Sequence, residues 1–357
     1  MDKRVDSNLL LDMSGMLNDI GFNLDDELGV ANMAEFHYDD GAVYGFPTKY
    51  ENSRWILINE DMFKEAGLDI PYDGWTYSEF LADAEKLTHG EGQDKVYGVC
   101  WARKQSGKSI LHALDGVLGA NQIYKNEEGT EVNFDNDVYR AGLNLVKETL
   151  DKGYAIPIED EFSEDISVAN TFLQGKCAIM LGVAQMRLCM DQENYPHDFM
   201  TALVPAPVPD DEKYNTEFYR KQIGTTGAGD LLSISANTKY PEASFEFAMW
   251  YLKGGMSPLV QGGRIPLWNG VNKDEVLSVL KEKAQGSIDM DSMENYLSLD
   301  TTQGVAAIKG HASSEISSAW FEEFDAMCYG KQSADQTVQN MEKRGNELIQ
   351  TELSSQK

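Results

Sequence analysis

Residues 41–80 constrain the fold more than any other part of the chain, because nearly every boundary in this stretch carries its own signal. Residues 43–46 and 55–58 are short runs rich in β-branched and aromatic side chains, which predict two strands. Asn59 follows the second run and predicts a helix N-cap, and Gly67 predicts the left-handed turn that ends this helix. The stretch therefore predicts strand, loop, strand and short helix in succession.

The next helix is predicted by a capping box, Thr76-x-x-Glu79, in which each side chain bonds the backbone N–H of the other residue. Similar signals recur along the chain. Residues 96–101 and 176–181 are apolar runs of strand length, and Ser333-x-x-Gln336 opens a last helix. Because strands alternate with helices almost throughout, the sequence predicts an α/β chain with largely parallel sheets.

Composition limits the partners that this chain can have. Its 357 residues are enough to bury a large core, divided between two lobes. The formal net charge of −29 argues against nucleic acid and anionic membranes, since both repel an acidic protein. No apolar run approaches the length of a membrane span. The four cysteines include no Cys-x-x-Cys pair, so we predict that they are mostly buried apolar side chains.

The motifs of catalysis and cofactor binding are incomplete. Residues 106–109 read Ser-Gly-Lys-Ser, like the end of a phosphate-binding loop, but the glycine that this loop requires is alanine at position 102. The glycine-rich residues 224–230 precede a strand, so they lack the helix N-terminus that binds phosphate. Their glycines instead predict a tight crossing between lobes or a close approach of the backbone to a ligand. The sequence predicts no catalytic site, cofactor or metal.

The six tryptophans divide into two predicted groups. Three of them, in a strand, before a helix cap and in mid-helix, are predicted to be buried: Trp55, Trp75 and Trp250. Trp101 ends a strand, Trp268 lies in a loop, and Trp320 begins a late helical segment, so these three are better placed to face a ligand. A flat ring can cover the C–H face of a sugar while carboxylates, amides and guanidinium groups bond its hydroxyls. Burial in the core stays an open alternative for each.

Several further motifs follow one another along nearly the whole chain. They are Gly41-x-x-Tyr44-Gly45-x-Pro47, Asn59-x-Asp61-x-Phe63-x-x-Ala66-Gly67-Leu68, Trp75-Thr76-x-x-Glu79-Phe80, Phe172-x-x-Gly175-Lys176-x-Ala178-x-Met180, Pro205-Ala-Pro and Pro241-Glu-Ala. Each motif is weak alone. In this order, the set resembles the family 1 extracellular solute-binding proteins of ABC importers, the sugar-binding group that is similar to maltose-binding protein.

The resemblance implies an α/β, two-lobe fold of the type II periplasmic-binding-protein class, with a ligand cleft between lobes that close by hinge bending. Together with the aromatic placement, it predicts that ten residues bind ligand: Tyr50, Glu51, Asn52, Trp101, Arg103, Gln185, Gly227, Arg264, Trp268 and Trp320. Residues 50–52 supply a ring, a carboxylate and an amide, which suit a sugar. The family often has a stacking aromatic after the strand at 176–181, where this chain has Gln185, so that contact is expected to be polar or thioether.

The resemblance also implies a division of the chain. Residues 1–50 plus about 228–300 would form the N-terminal lobe, and about 51–227 plus 301–357 the C-terminal lobe. Family members begin with a secretion signal, often with a lipoprotein cysteine, and a strand-helix-strand-helix unit, whereas residues 1–40 match the part just before Gly-x-x-Tyr-Gly and contain no signal peptide. We therefore expect an N-terminally truncated chain with an incomplete N-terminal lobe, an exposed sheet edge, and poor solubility or weak binding on its own.

The function implied is capture of a carbohydrate, most simply an oligosaccharide, outside the cytoplasm and its delivery to an ABC permease, without catalysis. The full-length protein would be a cell-surface lipoprotein or periplasmic, and a monomer. Two alternatives stay open. One is a binding protein for a peptide, a polyamine or glycerol phosphate. The other is a carbohydrate-active enzyme with two catalytic carboxylates.

Overall fold

A computed structural model of the chain describes residues 2–33, 36–38, 41–51, 54–103, 123–163, 166–182, 185–221, 228–298 and 310–355. Within them, the chain divides into two compact units. The first takes its described residues from Met1–Asn52 and Gly224–Lys283. The second takes them from Ser53–Ile223, Ala284–Leu299 and Ile308–Lys357.

Short helices and strands alternate along the described residues. The first half contains α1 (Asp2–Asp6), α2 (Ser14–Asp19), α3 (Leu24–Leu28), α4 (Val30–Met33), β1 (Phe46–Tyr50), β2 (Trp55–Asn59), α5 (Glu60–Glu65), α6 (Tyr77–Leu87), a 3₁₀ turn (Gly92–Asp94), β3 (Tyr97–Cys100), α7 (Asp137–Asp151), α8 (Ile158–Ser163), a π-helical turn (Val168–Phe172) and β4 (Cys177–Leu181). The second half contains α9 (Met186–Cys189), β5 (Thr201–Pro205), α10 (Glu217–Arg220), β6 (Ala228–Leu232), α11 (Pro241–Trp250), a π-helical turn (Tyr251–Gly255), a 3₁₀ helix (Ser257–Gly262), β7 (Ile265–Pro266), α12 (Lys273–Ala284), α13 (Met290–Leu297), α14 (Ser313–Cys328) and α15 (Ala334–Ser355).

The first unit is built on a three-stranded antiparallel sheet with the order β6-β1-β7. Lys49 is the one partly exposed residue of β1, and the other four are buried, so the face of β1 that carries Lys49 is open only towards the end of the strand. The buried apolar side chains of the helices in this unit include Leu17, Leu24, Leu28, Phe245, Met249 and Leu280.

The second unit contains a four-stranded sheet with the order β3-β4-β2-β5. All residues of β2 and β4 are buried, so both faces of these strands are covered. Aromatic rings fill much of the surrounding core, including Phe80, Phe134, Tyr139, Trp320 and Phe324. In the part of the chain that the structure describes, every helix is too short or too polar to span a lipid bilayer.

The prediction of largely parallel sheets is wrong. Among the described strand pairs, β3 and β4 are parallel, whereas β2 is antiparallel to both β4 and β5 and β1 is antiparallel to both its neighbours. A continuous apolar run indicates that helices cover both faces of a strand, and this burial does not depend on strand direction.

Local signals predicted the helix ends correctly. The side chain of Asn59 accepts a hydrogen bond from the N–H of Met62. Thr76 and Glu79 form the predicted reciprocal capping box. Gly67 adopts a left-handed φ of 68° after α5. Each signal acts over four residues or fewer, which explains its reliability.

Two of the three tryptophans that were predicted to be buried are buried, and the third is exposed. Trp55 and Trp75 are each 2% exposed, as predicted. Trp250 is 59% exposed, so this prediction is wrong. Helix α11 turns Phe245 and Met249 towards the core and leaves Trp250 outside, beside the similarly exposed Phe247.

Residues 284–299 belong to the second unit, whereas the predicted division placed residues up to about 300 with the first lobe. This segment is attached to β5 by hydrogen bonds. The N–H of Leu203 donates to the hydroxyl of Ser292 over 3.0 Å, and the N–H of Asp289 donates to the carbonyl of Thr201 over 2.9 Å.

Candidate functional site

The end of β1 brings three of the predicted site residues together in the first unit. Tyr50, the last residue of β1, lies opposite Ala228 on one side and Ile265 on the other, and its side chain is 8% exposed. The same antiparallel register places the following residue, Glu51, beside Arg264, which directly precedes β7. Tyr50, Glu51 and Arg264 therefore surround one end of the three-stranded sheet.

Glu51 is paired with Lys49, a residue that the sequence analysis did not select. The ammonium group of Lys49 contacts the carboxylate of Glu51, and the two side chains are 15% and 26% exposed. Residues two apart on a strand share a face, so both lie opposite the buried side of β1.

Arg264 forms an ion pair with Asp230, which lies in β6. Since β1 separates β6 from β7, the pair has to span β1. These side chains are 43% and 37% exposed, so the pair lies at the surface of the first unit, and the register of β1 with β7 puts Arg264 beside Glu51. We call Lys49, Glu51, Asp230 and Arg264 the charged quartet. It contains two cations and two anions side by side.

Trp268 follows β7 and is held by three contacts. Its indole Nε1–H donates to the carboxylate of Glu27 over 2.6 Å. The N–H of Asn269 donates to the carbonyl of Glu27, and the side-chain amide of Asn269 donates to the carbonyl of Asp26. A Cβ at Gly270 would lie 2.2 Å from the indole ring, so only glycine leaves space for this ring position. The indole ring is therefore held in one orientation and is partly buried.

Trp101 lies in the core of the second unit. It is 5% exposed, and its Nε1–H donates to the hydroxyl of the fully buried Thr149 over 2.9 Å. The ring packs against Phe80, with the centroids 5.8 Å apart. Its polar atom is satisfied internally and its faces are covered by apolar neighbours.

Trp320 is also a core residue. It is 1% exposed and stacks on Phe324, with the ring centroids 4.9 Å apart and an interplanar angle of 15°. The prediction that Trp320 begins a late helical segment is wrong, because it lies in the middle of α14. Helix α14 packs closely with α15, and Trp320 belongs to the buried core of the second unit.

Arg103 lies at the end of the same described segment as Trp101 and is engaged in a structural ion pair. Its guanidinium group donates to both carboxylate oxygens of Asp325, over 2.7 and 2.9 Å. The ring of Phe321 lies 4.2 Å from the guanidinium carbon, and the Arg103 side chain is only 14% exposed. Among the described residues, this guanidinium is thus held by a bidentate ion pair and an aromatic ring, which is typical of a structural arginine.

A buried carboxyl group supports this turn. Glu161 is 1% exposed and accepts the backbone N–H of Arg103. Burial raises the pKa of Glu161 to about 7, although the two backbone N–H groups of Ala102 and Arg103 and the charge of Arg103 act in the opposite direction. Burial also raises the pKa of Asp325, against the effect of Arg103. The arrangement holds the end of β3 in place.

The other predicted site residues are more weakly defined. Gln185 is partly buried at the start of α9, where its side-chain oxygen accepts a hydrogen bond from Arg187 over 3.3 Å. Asn52 and Gly227 lie outside the described residues. The structure thus collects Tyr50, Glu51 and Arg264, places Trp268 farther along the same chain segment, and buries Trp101 and Trp320 in the second unit.

Sequence reasoning missed Lys49, Asp230 and Glu27. Asp230 is 34 residues from its partner Arg264, and Glu27 is 241 residues from Trp268, so no local pattern connects them. The sequence did contain one signal for Asp230. This aspartate follows Gly-x-Gly and directly precedes an apolar run of strand type, a position where aspartate is uncommon.

Metal and thiol chemistry find no support among the described residues. No group of three or more His, Cys, Asp or Glu side chains in this part of the chain is arranged to hold a metal ion. Cys100, Cys177 and Cys189 are buried, as predicted, and Cys328 is partly buried. Burial raises the pKa of the Cys189 thiol to about 12, which suits an unreactive core residue.

Comparison with known proteins identifies relatives of this chain. The family described as bacterial extracellular solute-binding protein matches residues 1–253. A sugar transporter protein from Rhizobium etli, solved in an open conformation, is 18% identical with a TM-score of 0.69, and the match covers 97% of this chain and 81% of that one. An ABC substrate-binding protein from Listeria monocytogenes in complex with cycloalternan is 17% identical with a TM-score of 0.69, covering 96% and 81%. A solute-binding protein from Agrobacterium vitis with bound D-mannitol is 17% identical with a TM-score of 0.65, covering 98% and 82%. These matches show the α/β fold of the type II periplasmic binding proteins.

Proposed function

This chain belongs to the bacterial extracellular solute-binding proteins, and on that basis we propose that it captures a carbohydrate outside the cytoplasm for delivery to an ABC permease. The observation that carries the proposal is the group of side chains in the first unit. The side chains of the charged quartet can donate hydrogen bonds to the hydroxyl groups of a ligand and accept hydrogen bonds from them. Trp268 provides a flat aromatic ring that is held in one orientation. These are the two kinds of group that bind a sugar ring.

The relatives support a carbohydrate as the ligand. The Listeria protein holds cycloalternan and the Agrobacterium protein holds D-mannitol, an oligosaccharide and a sugar alcohol. Both compounds present rows of hydroxyl groups and no charge. A quartet whose two positive and two negative groups balance one another suits such a neutral, hydroxyl-rich ligand better than a polyamine or a phosphate, either of which would favour one sign of charge.

We propose that the ligand contacts of the first unit include Glu51, Arg264 and Trp268, and that Gln185 is the candidate from the second unit. Tyr50 is buried beside them and remains a prediction, as do Asn52 and Gly227. Each unit would correspond to one lobe of the family's fold. The protein would act as a monomer without catalytic activity, either as a cell-surface lipoprotein or in the periplasm, and its protein partner would be a permease.

Titration calorimetry tests the proposal directly. The purified chain is titrated with maltotetraose, cycloalternan and D-mannitol, and with spermidine, glycerol 3-phosphate and a tripeptide as the alternative ligands. We expect at least one carbohydrate to bind and none of the charged ligands to do so. Binding of spermidine or glycerol 3-phosphate alone would contradict the carbohydrate assignment.

Two variants then test the residues. Glu51→Ala and Trp268→Ala should each weaken binding of the carbohydrate by roughly tenfold or more, because each removes a polar or stacking contact. Trp250→Ala is the matched control, since this indole is exposed on α11 and is expected to leave the affinity unchanged. Incubation with a chromogenic glycoside tests catalysis, and we expect no release of the chromophore.

A further inference from the structure

Asp230 has a backbone conformation that is unusual within a strand. It lies inside β6, yet its φ is +52°, in the left-handed region that glycine adopts freely and that aspartate and asparagine enter more often than most other residues. The flanking residues pair with β1 on either side, Gly229 with Lys49 and Leu231 with Pro47. The strand therefore continues through a residue that would be more relaxed as glycine.

The contacts of Asp230 hold this conformation but do not require an aspartate. Its backbone carbonyl accepts a hydrogen bond from the hydroxyl of the buried Thr48 over 2.8 Å, a bond that any residue could accept. Its carboxylate is paired with Arg264, and both side chains are more than one third exposed. Exposed ion pairs contribute little to stability, whereas a residue strained in the left-handed region costs more. A left-handed residue inside a strand is one of the features found at binding sites, and at this position it carries an exposed carboxylate.

The surroundings indicate what the carboxylate binds. Arg264 lies beside Glu51, which is paired with Lys49, and Arg264 is itself paired with Asp230, so Asp230 completes a patch in which each anion lies beside a cation. A carboxylate accepts hydrogen bonds from hydroxyl groups, and a guanidinium group donates to them. Neighbouring hydroxyls of a sugar ring can each donate one bond and accept another, so a fixed carboxylate–guanidinium pair matches two adjacent hydroxyls.

We propose that Asp230 is a specificity-determining residue that binds, together with Arg264, two adjacent hydroxyl groups of the ligand. This inference rests on the proposed function, since it takes the ligand to be a carbohydrate. One hydroxyl donates to the carboxylate of Asp230, and its neighbour accepts from the guanidinium of Arg264.

The substitution Asp230→Gly separates this role from a structural one. Glycine adopts the observed φ without strain and keeps the backbone carbonyl that bonds Thr48, so the thermal midpoint should stay the same or rise. The carboxylate is lost, so affinity for maltotetraose or cycloalternan, whichever binds the wild-type chain, should fall at least tenfold. Asp230→Asn tolerates the left-handed region and keeps one acceptor, and we expect an intermediate loss.

Gln285→Gly is the matched control for the relief of strain. Gln285 is exposed, has a φ of +49°, and belongs to the second unit. We expect its thermal midpoint to stay the same or rise and its affinity to stay within twofold of wild type. Calorimetry and thermal melts of the four proteins, wild type included, give both quantities.

Each outcome decides the inference. An affinity of Asp230→Gly within threefold of wild type would overturn it, and so would a tenfold loss accompanied by a lower thermal midpoint, because the residue would then be structural. If wild type binds no carbohydrate at all, the proposed function fails first. That result is distinct, because it appears before any variant is measured.

Discussion

Trp268 and Arg264 in the first unit have close counterparts in the second unit, Trp101 and Arg103. Both pairs lie at the ends of strands, and in both the indole N–H and the guanidinium group have acceptors. Their surroundings differ. Arg103 donates to both oxygens of Asp325 beside a phenylalanine ring and is 14% exposed, whereas Arg264 reaches one carboxylate and is 43% exposed.

The difference shows that the same two residue types are enclosed in one unit and partly exposed in the other, according to their apolar neighbours. In the second unit the pair is enclosed by Phe80, Phe162 and Phe321. In the first unit it lies beside a charged patch. We therefore expect substitutions in the second unit to change mainly stability and those in the first to change mainly affinity.

The largest expected effect is the loss of the buried indole. Trp101→Ala removes a ring that is 5% exposed and should lower the free energy of unfolding by about 3–5 kcal/mol, because a cavity remains. Trp268→Ala removes a partly exposed ring and should cost only about 1 kcal/mol. Urea unfolding of both variants measures the contrast. Equal losses would show that Trp268 is as much a core residue as Trp101.

The next effect is a pH dependence confined to the second unit. Because the pKa of Glu161 is raised to about 7 in the folded chain from an ordinary value of 4.5, the folded state binds more protons between these values. Stability should therefore fall as pH rises from about 4.5 to 7, by roughly 3 kcal/mol in total. Below the lower value and above the higher one, this group adds no slope.

Glu161→Gln tests that dependence. An amide does not titrate, and its oxygen can still accept the N–H of Arg103. The difference in unfolding free energy between wild type and Glu161→Gln, measured by urea titration at several pH values, should change across this window in favour of the variant as pH rises. A constant difference from pH 4.5 to 8 would show that the Glu161 carboxyl is not held in its neutral form.

A smaller effect separates the two ion pairs. Asp325→Asn leaves the enclosed Arg103 without its two charged bonds and should cost about 2 kcal/mol. Asp230→Asn disrupts an exposed pair and should cost less than about 1 kcal/mol. Thermal melts in low and high salt compare them, and the exposed pair should respond more to salt. The comparison between the units fails if the Asp230 variant loses more stability.

The smallest effect concerns the orientation of Trp268. Glu27→Ala removes the acceptor of its indole N–H and should lower stability by about 1 kcal/mol or less. The indole N–H resonance of Trp268 should move upfield in a tryptophan-labelled sample, while that of Trp101, bonded to Thr149, should stay in place. An unchanged Trp268 resonance would mean that Glu27 does not position this ring.

The fold was predictable where its signals are short. Asn59 and the Thr76–Glu79 capping box act within four residues, and the sequence predicted both. Strand direction was not predictable in this way, because the apolar runs of β2 and β4 report burial alone. Trp250 was predicted to be buried from its aromatic neighbours, but the face of α11 that packs inward is set by the rest of the unit.

The candidate site was predictable only in part for the same reason. Glu51, Arg264 and Trp268 were predicted as ligand contacts from the resemblance of this chain to a known family, together with the placement of its aromatic residues. The register of β1 with β7 then places Glu51 and Arg264 side by side. Asp230 and Glu27 come from distant parts of the chain. Their roles depend on which strands and helices meet, and that information is spread over the whole first unit.

The position of β1 in its sheet also sets an order of events in time. β1 lies at residues 46–50, but its partners are β6 at residues 228–232 and β7 at residues 265–266, whereas β2 to β5 are all present once residue 205 has been synthesised. The strands of the second unit can therefore pair before β6 and β7 have been synthesised. The pairing of β1 with these two strands joins distant segments of the chain, and such contacts form slowly. The charged quartet exists only when both late strands have joined β1. Ligand binding in the first unit would then report that β6 and β7 have both joined β1.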